Sequence, residues 1–186
     1  MLRKTILYIA VSLDGYIADH AGGVSWLNTP EAAAAGDEGY RRFLQTVDTI
    51  VMGGRTYRQV VTELSPGSWP YAGLEAYVLT RRYEEPDMPG IHFVNRPVSD
   101  LLRELGSRPG KAIWLCGGAE LIHACREEDL IDEYHITVMP ILLGEGIPLF
   151  RPSGRSTPLA LVSAGEADSG ALCVFRRREE APRARP

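Results

Sequence analysis

The same short pattern occurs twice in this 186-residue chain: an apolar segment, a Gly-Gly pair and a helix-like segment. It covers residues 50–56 (IVMGGRT) and residues 113–119 (IWLCGGA). A continuous apolar run is typical of a strand covered on both faces, and strands that alternate with helices form parallel sheets. The repeated pattern therefore predicts an α/β fold with both junctions at the carboxyl edge of one sheet.

Apolar runs and helix or strand breakers predict the remaining elements. The predicted strands cover residues 5–11, 49–52, 76–80, 91–94, 112–116 and 134–138, with a hairpin of residues 159–164 and 171–176. The predicted helices cover residues 31–47, 55–64, 99–105 (stopped by Gly106) and 119 to about 128, and residues 12–29 form a long loop. We therefore expect a single three-layer α/β/α domain over residues 1–178, with a disordered, charged tail at residues 179–186.

Composition excludes several classes of protein. A net charge of −4 argues against a protein that wraps nucleic acid over a broad surface. The N-terminal apolar run is too short for a secretory signal, and no segment has the ~20 apolar residues of a membrane helix. Three cysteines without a CxxC motif suggest thiols in a reducing compartment, so we expect a cytoplasmic protein. The four histidines show no metal-ligand spacing, and no metal site is predicted.

The glycine pairs are the strongest candidates for a binding site. Glycine lets the backbone approach a ligand closely, and a helix N-terminus offers free N–H groups to an anion. Two such ends suit a pyrophosphate or two phosphates, with Arg55, Thr56, Arg81 and Arg82 nearby. The alternative is that Gly-Gly only permits tight packing of helix on sheet. The GxGxxG fingerprint is absent, which disfavours an ordinary Rossmann domain.

Several other side chains have two interpretations each. Cys116 precedes the second glycine pair and fits a buried structural thiol better than a nucleophile. Four aromatic side chains could line a pocket for a flat heterocycle, or could instead anchor the core and loops. They are Tyr16, Trp26, Tyr40 and Trp69.

Four segments, in this order, resemble a known superfamily. They are SLDGYIA (12–18), DTIVMGGRTY (48–57), IWLCGGAEL (113–121) and LIDEYHITVMPILLGEGIPLF (130–150). Together they resemble the dihydrofolate reductase-like superfamily, and within it the reductase domain of bacterial riboflavin biosynthesis and its stand-alone relatives. The resemblance implies an eight-stranded, mostly parallel sheet that binds extended NADPH. It also implies a homodimer, to which the apolar residues 140–150 would contribute.

The resemblance also implies roles for individual residues. Gly117-Gly118, often a cis peptide in the family, would pack on the nicotinamide ribose and pyrophosphate. The helix start at Ala119, Glu120 and Leu121, directly after Cys116, would lie on phosphate. Gly53, Gly54, Arg55 and Thr56 would hold the pyrophosphate and 2′-phosphate side, while Thr80, Arg81 and Arg82 would lie beside the 2′-phosphate. Ala10 and Ile17 would face the nicotinamide.

The chain departs from its relatives in ways that bear on the substrate. Gly54 stands where many relatives have Arg, and Tyr16 stands where riboflavin-pathway reductases have Lys or Arg. An Asp-Asp-Pro segment for the substrate phosphate is missing after Tyr57, and so is the deaminase domain often fused to these reductases. The stretch that would hold the buried carboxylate of folate reductases falls near Gly39, where Asp37 and Glu38 do not align clearly with it.

The expected reaction is hydride transfer from NADPH to a C=N or C=O carbon of a pyrimidine- or pterin-like compound. By resemblance, the specific substrate is 5-amino-6-(5-phosphoribosylamino)uracil. The alternatives are a dihydrofolate reductase, a reductase of another carbonyl or imine, and a non-catalytic NADPH-binding protein. The proton would come from Asp14, from Asp37 or Glu38, or from water held by Thr137, although Asp14 could instead cap its own turn.

Overall fold

A computed structural model of the chain describes residues 2–28, 38–82, 89–167 and 169–178. Eight strands form one sheet in the order β5-β4-β3-β6-β1-β7-β10-β9, and β2 pairs with β8 in a small second sheet. The strands are β1 Thr5–Ser12, β2 Tyr16–Ala18, β3 Val47–Gly53, β4 Glu75–Leu79, β5 Ile91–Val94, β6 Ala112–Gly117, β7 Glu133–Met139, β8 Ile147–Pro148, β9 Leu159–Ala167 and β10 Gly170–Arg177. The α-helices are α1 Glu38–Leu44, α2 Gly54–Gln59, α3 Val98–Ser107 and α4 Ala119–Glu127, and a π-helical segment, Val60–Leu64, continues α2.

The sheet is parallel from β5 to β7 and antiparallel at its C-terminal end, where β10 pairs with β7 and with β9. The predicted eight-stranded sheet with an antiparallel C-terminal hairpin is therefore confirmed. Strand β1 lies between β6 and β7, with Leu7 opposite both Leu115 and Tyr134. All the parallel strands consequently end at one edge of the sheet.

Helices cover both faces of the sheet, which gives the predicted three layers. On one face, Leu101 of α3 and Ile122 of α4 pack with Leu7 and Leu115. On the other face, Phe43 of α1 and Tyr57 of α2 pack with residues such as Met52 and Trp114. Neighbouring positions of β6 contribute to opposite clusters because successive strand side chains point to opposite faces.

The amino edge of the sheet is held by ion pairs. The Arg3 side chain is 6% exposed and contacts the Asp48 carboxylate. It also donates hydrogen bonds to Thr49 Oγ1 at 2.7 Å and to the Lys111 carbonyl at 2.6 Å. Lys4 Nζ donates to Glu133 Oε1 at 2.8 Å. These contacts join the starts of β1, β3, β6 and β7.

Two predicted helix boundaries are wrong. Val47 begins β3 instead of ending the first helix, because this buried, β-branched residue joins the ladder opposite Ala112. Gly106 lies inside α3 instead of stopping it, and its carbonyl accepts a hydrogen bond from the Arg3 N–H at 3.0 Å. Residues 29–37, which hold the first part of the predicted helix, lie outside the described residues, as does the tail at 179–186.

The segment predicted as one long loop contains structure. Strand β2 returns antiparallel to β8, and a turn of 3-10 helix covers Ser25–Leu27. Both are only three residues long, too short to produce a periodic sequence pattern. Among the described residues, none of the helices has the length and apolar character required to cross a membrane.

Candidate functional site

The two Gly-Gly junctions lie side by side at the carboxyl edge of the sheet, as the sequence predicts. Strands β3 and β6 are hydrogen-bonded neighbours, and Met52 is paired with Gly117. A Cβ atom added at Gly53 would lie 3.8 Å from the Gly118 nitrogen and 3.9 Å from the Gly117 oxygen. The main chains of the two junctions thus form one surface without side chains between them.

Two threonine hydroxyls border this glycine surface. A Cβ atom added at Gly54 would lie 3.1 Å from Thr80 Oγ1, and one added at Gly118 would lie 3.4 Å from Thr56 Oγ1. A side chain at Gly118 would occupy the space between the junctions, and one at Gly54 would occupy the space beside Thr80 at the end of β4. The surface therefore has the form of a cradle that only glycine leaves open to a ligand.

Each junction ends in a helix whose first turn lacks a side-chain cap. Helix α2 follows Gly53 and helix α4 follows Gly118, and neither residue provides a capping hydrogen bond. The first N–H groups of a helix have no partner within the helix. The Gly117-Gly118 peptide is cis, as the resemblance implies. The main-chain N–H groups can donate hydrogen bonds to a phosphate, which is the chemistry that the sequence suggested.

The charged side chains beside the cradle include one carboxylate that two arginines approach. Glu120, in the first turn of α4, has its Oε1 atom 4.0 Å from Arg55 Nη1 and 3.5 Å from Arg151 Nη2. Arg81 and Arg82 are exposed directly after β4, and the Arg82 N–H donates to Thr80 Oγ1 at 3.1 Å. Sequence reasoning missed Arg151, because this residue lies beyond the matched motifs and its contact with Glu120 forms only in the folded chain.

The residues expected to face the nicotinamide lie on β1, the strand next to β6, and on β2. Ala10 of β1 is paired with Thr137 of β7. Ile9 Cδ1 would lie 3.9 Å from a Cβ atom added at Gly117, so the end of β1 adjoins the second glycine pair. Ile17 of β2 packs against the core on the α3–α4 face. The structure thus brings the β1, β3 and β6 members of the predicted site to one edge.

Asp14 lies in the turn between β1 and β2 and accepts three hydrogen bonds. Ser12 Oγ donates to its Oδ1 atom at 2.6 Å, and the Leu143 and Gly144 N–H groups donate at 3.1 and 2.7 Å. The Ser12 bond, helped by the two backbone donors, lowers the pKa of Asp14 below its ordinary value. An ionised carboxylate with three donors is a poor source of a proton. Both backbone donors belong to the segment before β8, so these contacts link Asp14 to another loop and leave open whether it caps its own turn.

Aromatic side chains form a continuous wall on the α1–α2 face. Tyr40 packs edge-on against Trp114 with ring centroids 5.9 Å apart, and Tyr71 lies 5.2 Å from the same ring. Trp69 lies 5.0 Å from Tyr71. Two of the predicted aromatic residues, Tyr40 and Trp69, are thus linked through Trp114 and Tyr71. Sequence reasoning missed the two linking residues, although Trp114 shares the period-2 pattern of β6 with Cys116.

Cys116 borders this wall and is not poised as a nucleophile. Burial raises the pKa of its thiol to about 12, while a hydrogen bond with Tyr71 acts in the opposite direction. A neutral thiol is neither a nucleophile nor a good metal ligand at neutral pH. The structure therefore favours the structural interpretation of this cysteine.

Tyr16 and Trp26 lie apart from the aromatic wall in the contacts of the described residues. The Tyr16 N–H donates to Ser12 Oγ at 2.9 Å, and Tyr16 is paired with Pro148 of β8. Trp26 lies in the 3-10 turn, and its buried Nε1 atom has no hydrogen-bond partner among the described residues. Gln59 of α2 donates to the Gly22 carbonyl at 2.8 Å, which ties the preceding loop to α2.

Comparisons with known proteins agree with this geometry. The sequence profile of a family described as the RibD C-terminal domain matches residues 3–173. The uncharacterized protein YwjB of Bacillus subtilis (strain 168) is 44% identical over 161 residues, which cover 87% of this chain and 90% of YwjB. A crystal structure from Shewanella sp. PV-4, of a protein assigned to riboflavin biosynthesis, has a TM-score of 0.81 and 31% identity over 96% of this chain and 100% of its own.

A more distant likeness concerns the architecture alone. Dihydrofolate reductase from Enterococcus faecalis, solved as a complex with NADP(H), has a TM-score of 0.66 at 16% identity. The alignment covers 96% of this chain and 100% of that enzyme. The likeness identifies the sheet and its helices as a dihydrofolate reductase-like fold.

Proposed function

The chain belongs to the RibD C-terminal domain family, and from this premise we propose that it is an NADPH-dependent reductase of a small heterocyclic compound. The observation that carries the proposal is the pair of adjacent glycine junctions. Their main chains approach within contact distance, and both lead into uncapped helix starts. Such a surface suits the phosphates of an extended dinucleotide better than it suits packing alone, since packing would not require the hydroxyls and cations around it.

The residues present fit NADPH along one direction of the sheet edge. Gly53, Gly54 and Thr56 of the first junction would bind the pyrophosphate and the 2′-phosphate side together with Arg55. Thr80, Arg81 and Arg82 would contact the adenosine 2′-phosphate. Cys116, Gly117 and Gly118 would border the nicotinamide ribose, and the start of α4 at Ala119, Glu120 and Leu121 would lie beside the phosphates. Ala10 and Ile17 would contact the nicotinamide.

When bound, NADPH would supply a hydride to an electrophilic carbon of the substrate. The chain's own part is to orient the two molecules and to exclude water between them. Tyr40 and Tyr71, the partly exposed members of the aromatic wall around the buried Trp114, would offer flat apolar surface to a planar ring. Thr137, next to Ala10 in the ladder, would hold a water molecule as the proton source.

We propose 5-amino-6-(5-phosphoribosylamino)uracil as the substrate, in keeping with the family and with the riboflavin assignment of the Shewanella relative. Dihydrofolate, other carbonyl or imine compounds, and binding of NADPH without catalysis are the competing outcomes. We further propose a cytoplasmic homodimer, with residues 140–150 among its contacts. Leu142 and Phe150 of that segment are 68% and 39% exposed.

Calorimetric titration of the purified chain with NADPH tests the binding step, and we expect saturable binding. Oxidation of NADPH, followed by the loss of its reduced-nicotinamide absorbance, then tests pyrimidines, pterins and simple carbonyls in parallel. Turnover of the aminouracil supports the proposed substrate. Turnover of dihydrofolate alone, or of a carbonyl compound alone, would identify that compound as the substrate instead. Folded protein that binds no NADPH would overturn the proposal.

A further inference from the structure

Two loops at the carboxyl edge of the sheet are joined by one side chain. The first is the turn 12–15 between β1 and β2, and the second is the segment 141–146 that precedes β8. Asp14 of the first loop accepts the N–H groups of Leu143 and Gly144 in the second, at 3.1 and 2.7 Å. In the described part of the chain, the other hydrogen bond between the two loops joins main chain to main chain.

The second loop is shaped to present these two N–H groups. Gly144 has a φ of +78° and Gly146 a φ of +156°, conformations that glycine adopts readily. A Cβ atom added at Gly146 would lie 2.2 Å from the Ala18 carbonyl oxygen, so the loop packs closely against the end of β2. The Leu13 N–H donates to the Ile141 carbonyl at 2.8 Å and the Leu149 N–H to the Gly15 carbonyl at 2.9 Å.

The Asp14 side chain is oriented by a hydrogen bond from Ser12. Ser12, the last residue of β1, is 1% exposed, donates its hydroxyl hydrogen to Asp14 and accepts the Tyr16 N–H. The carboxylate therefore connects the end of β1, the start of β2 and the 141–146 loop in one hydrogen-bonded unit. Bonds to a charged acceptor are shorter and stronger than neutral ones, so this exposed unit is more rigid than an ordinary surface turn.

We propose that Asp14 is a positioning residue that holds the nicotinamide end of the cofactor site. This inference rests on the proposed function, in which Ala10 and Ile17, on either side of this turn, contact the nicotinamide. Without Asp14 the turn is no longer fastened to the 141–146 loop by a side chain, and the ends of β1 and β2 gain freedom. The adenosine end, at β3 and β4, is separated from Asp14 by β6 and should not respond.

The test compares Asp14→Asn with Asp19→Asn. Asp19 also accepts backbone N–H groups, from Ala21 and Gly23, but both lie in its own loop, so this variant is a matched control. Amide hydrogen exchange measured by NMR should rise about tenfold at Leu143 and Gly144 in Asp14→Asn and stay unchanged there in the control. Unchanged exchange at both amides in Asp14→Asn would show that the fastening does not exist.

Two nucleotides separate positioning from general stability. NADPH carries the nicotinamide, whereas 2′-phospho-ADP-ribose lacks it but keeps the adenosine and pyrophosphate groups. We expect Asp14→Asn to weaken NADPH about five- to tenfold, as the loss of ordered contacts at one end predicts, and to leave 2′-phospho-ADP-ribose unchanged. Equal losses for both ligands, or no loss for either, would overturn the positioning role. A wild-type chain that binds neither ligand would instead refute the proposed function, while the exchange data would still decide whether the fastening exists.

Discussion

Gly118 has backbone angles of −85° and −165°, which any residue can adopt. A Cβ atom at this position would lie 3.4 Å from Thr56 Oγ1, which is an ordinary contact distance, so the fold itself does not require glycine here. We therefore expect glycine to matter at this position because it leaves space for the ligand. Gly117 differs, because its φ of +134° disfavours every other residue type. Substitution of Gly118 should therefore affect ligand binding, whereas substitution of Gly117 should strain the backbone.

Gly118→Ala is expected to fold normally and to weaken NADPH binding at least about tenfold, or ~1.4 kcal/mol, because its methyl group projects into the cradle. Gly118→Val should abolish binding. Calorimetry measures the affinity, and thermal unfolding checks the fold. Gly154→Ala is the control, since a Cβ atom there would contact nothing within 4 Å. NADPH affinity that is the same in Gly118→Ala as in wild type would contradict the site assignment.

The buried thiols should be unreactive in the folded protein. Burial raises the pKa values of Cys116 and Cys125 to about 12, so both remain protonated at pH 8. We expect a Cys173→Ser variant to give no reaction with a thiol-specific disulfide reagent until guanidinium is added, when both thiols should react. A thiol that reacts rapidly in the folded variant would show that one of these side chains is accessible and ionisable.

At the scale of elements, the start of β7 combines partial burial with charge. Burial opposes ionisation of Glu133, but hydrogen bonds with Lys4 and His135 outweigh it and lower the pKa below the ordinary 4.5. Because the folded-state pKa lies below the unfolded one, ionised Glu133 stabilises the fold above the unfolded pKa. That contribution is lost as the pH falls through the folded pKa.

Glu133→Gln should therefore lower the free energy of unfolding near pH 7 by about 1 kcal/mol or less, because the side chain of its partner Lys4 is 57% exposed. The difference from wild type should shrink towards zero as the pH falls from the ordinary value of 4.5 through the lower folded-state pKa, because wild-type Glu133 then becomes protonated too. Urea unfolding at a series of pH values measures it. Glu145→Gln, at an exposed loop position, is the control. A difference that grows as the pH falls would contradict the sign of the shift.

The sequence predicted the elements that have long, strongly patterned segments. Strand β5 was predicted with the observed bounds, and β6 and α4 to within about one residue, because their apolar runs end at clear breakers. The strands β2 and β8 were missed because their pairing depends on contact between distant segments. The same reason applies to the candidate site. Both glycine junctions were evident in the sequence, whereas Arg151 and the partners of Asp14 are brought close only by folding.

At the scale of the whole molecule, the sheet ends in an uncovered strand. Strand β9 pairs on one side with β10 and forms the edge of the sheet, and its residues 161–166 are exposed. Leu161 and Val162 are 62% and 50% exposed. A long edge strand with apolar side chains is prone to pair with another chain. We therefore expect β9 to contribute to the proposed homodimer.

Leu161→Glu should convert the dimer to a monomer, as measured by light scattering after gel filtration, because the charge would be buried between two copies. Leu64→Glu is the control, since Leu64 is also exposed but lies outside the edge strand. If the Leu142→Glu protein is monomeric and the Leu161→Glu protein remains dimeric, the dimer contact is formed by residues 140–150 instead of β9. A wild-type chain that is monomeric at all concentrations would refute the dimer.

The ion pairs of Arg3 and Lys4 lie at the amino edge of the sheet, while the glycine cradle lies at the carboxyl edge. The length of the strands therefore separates the residues that fasten the fold from those proposed to bind nucleotide. Engineering for heat tolerance can be confined to the first edge, and redesign of cofactor preference to the second. Changes at the two edges should combine additively, because distant sites without shared partners act independently.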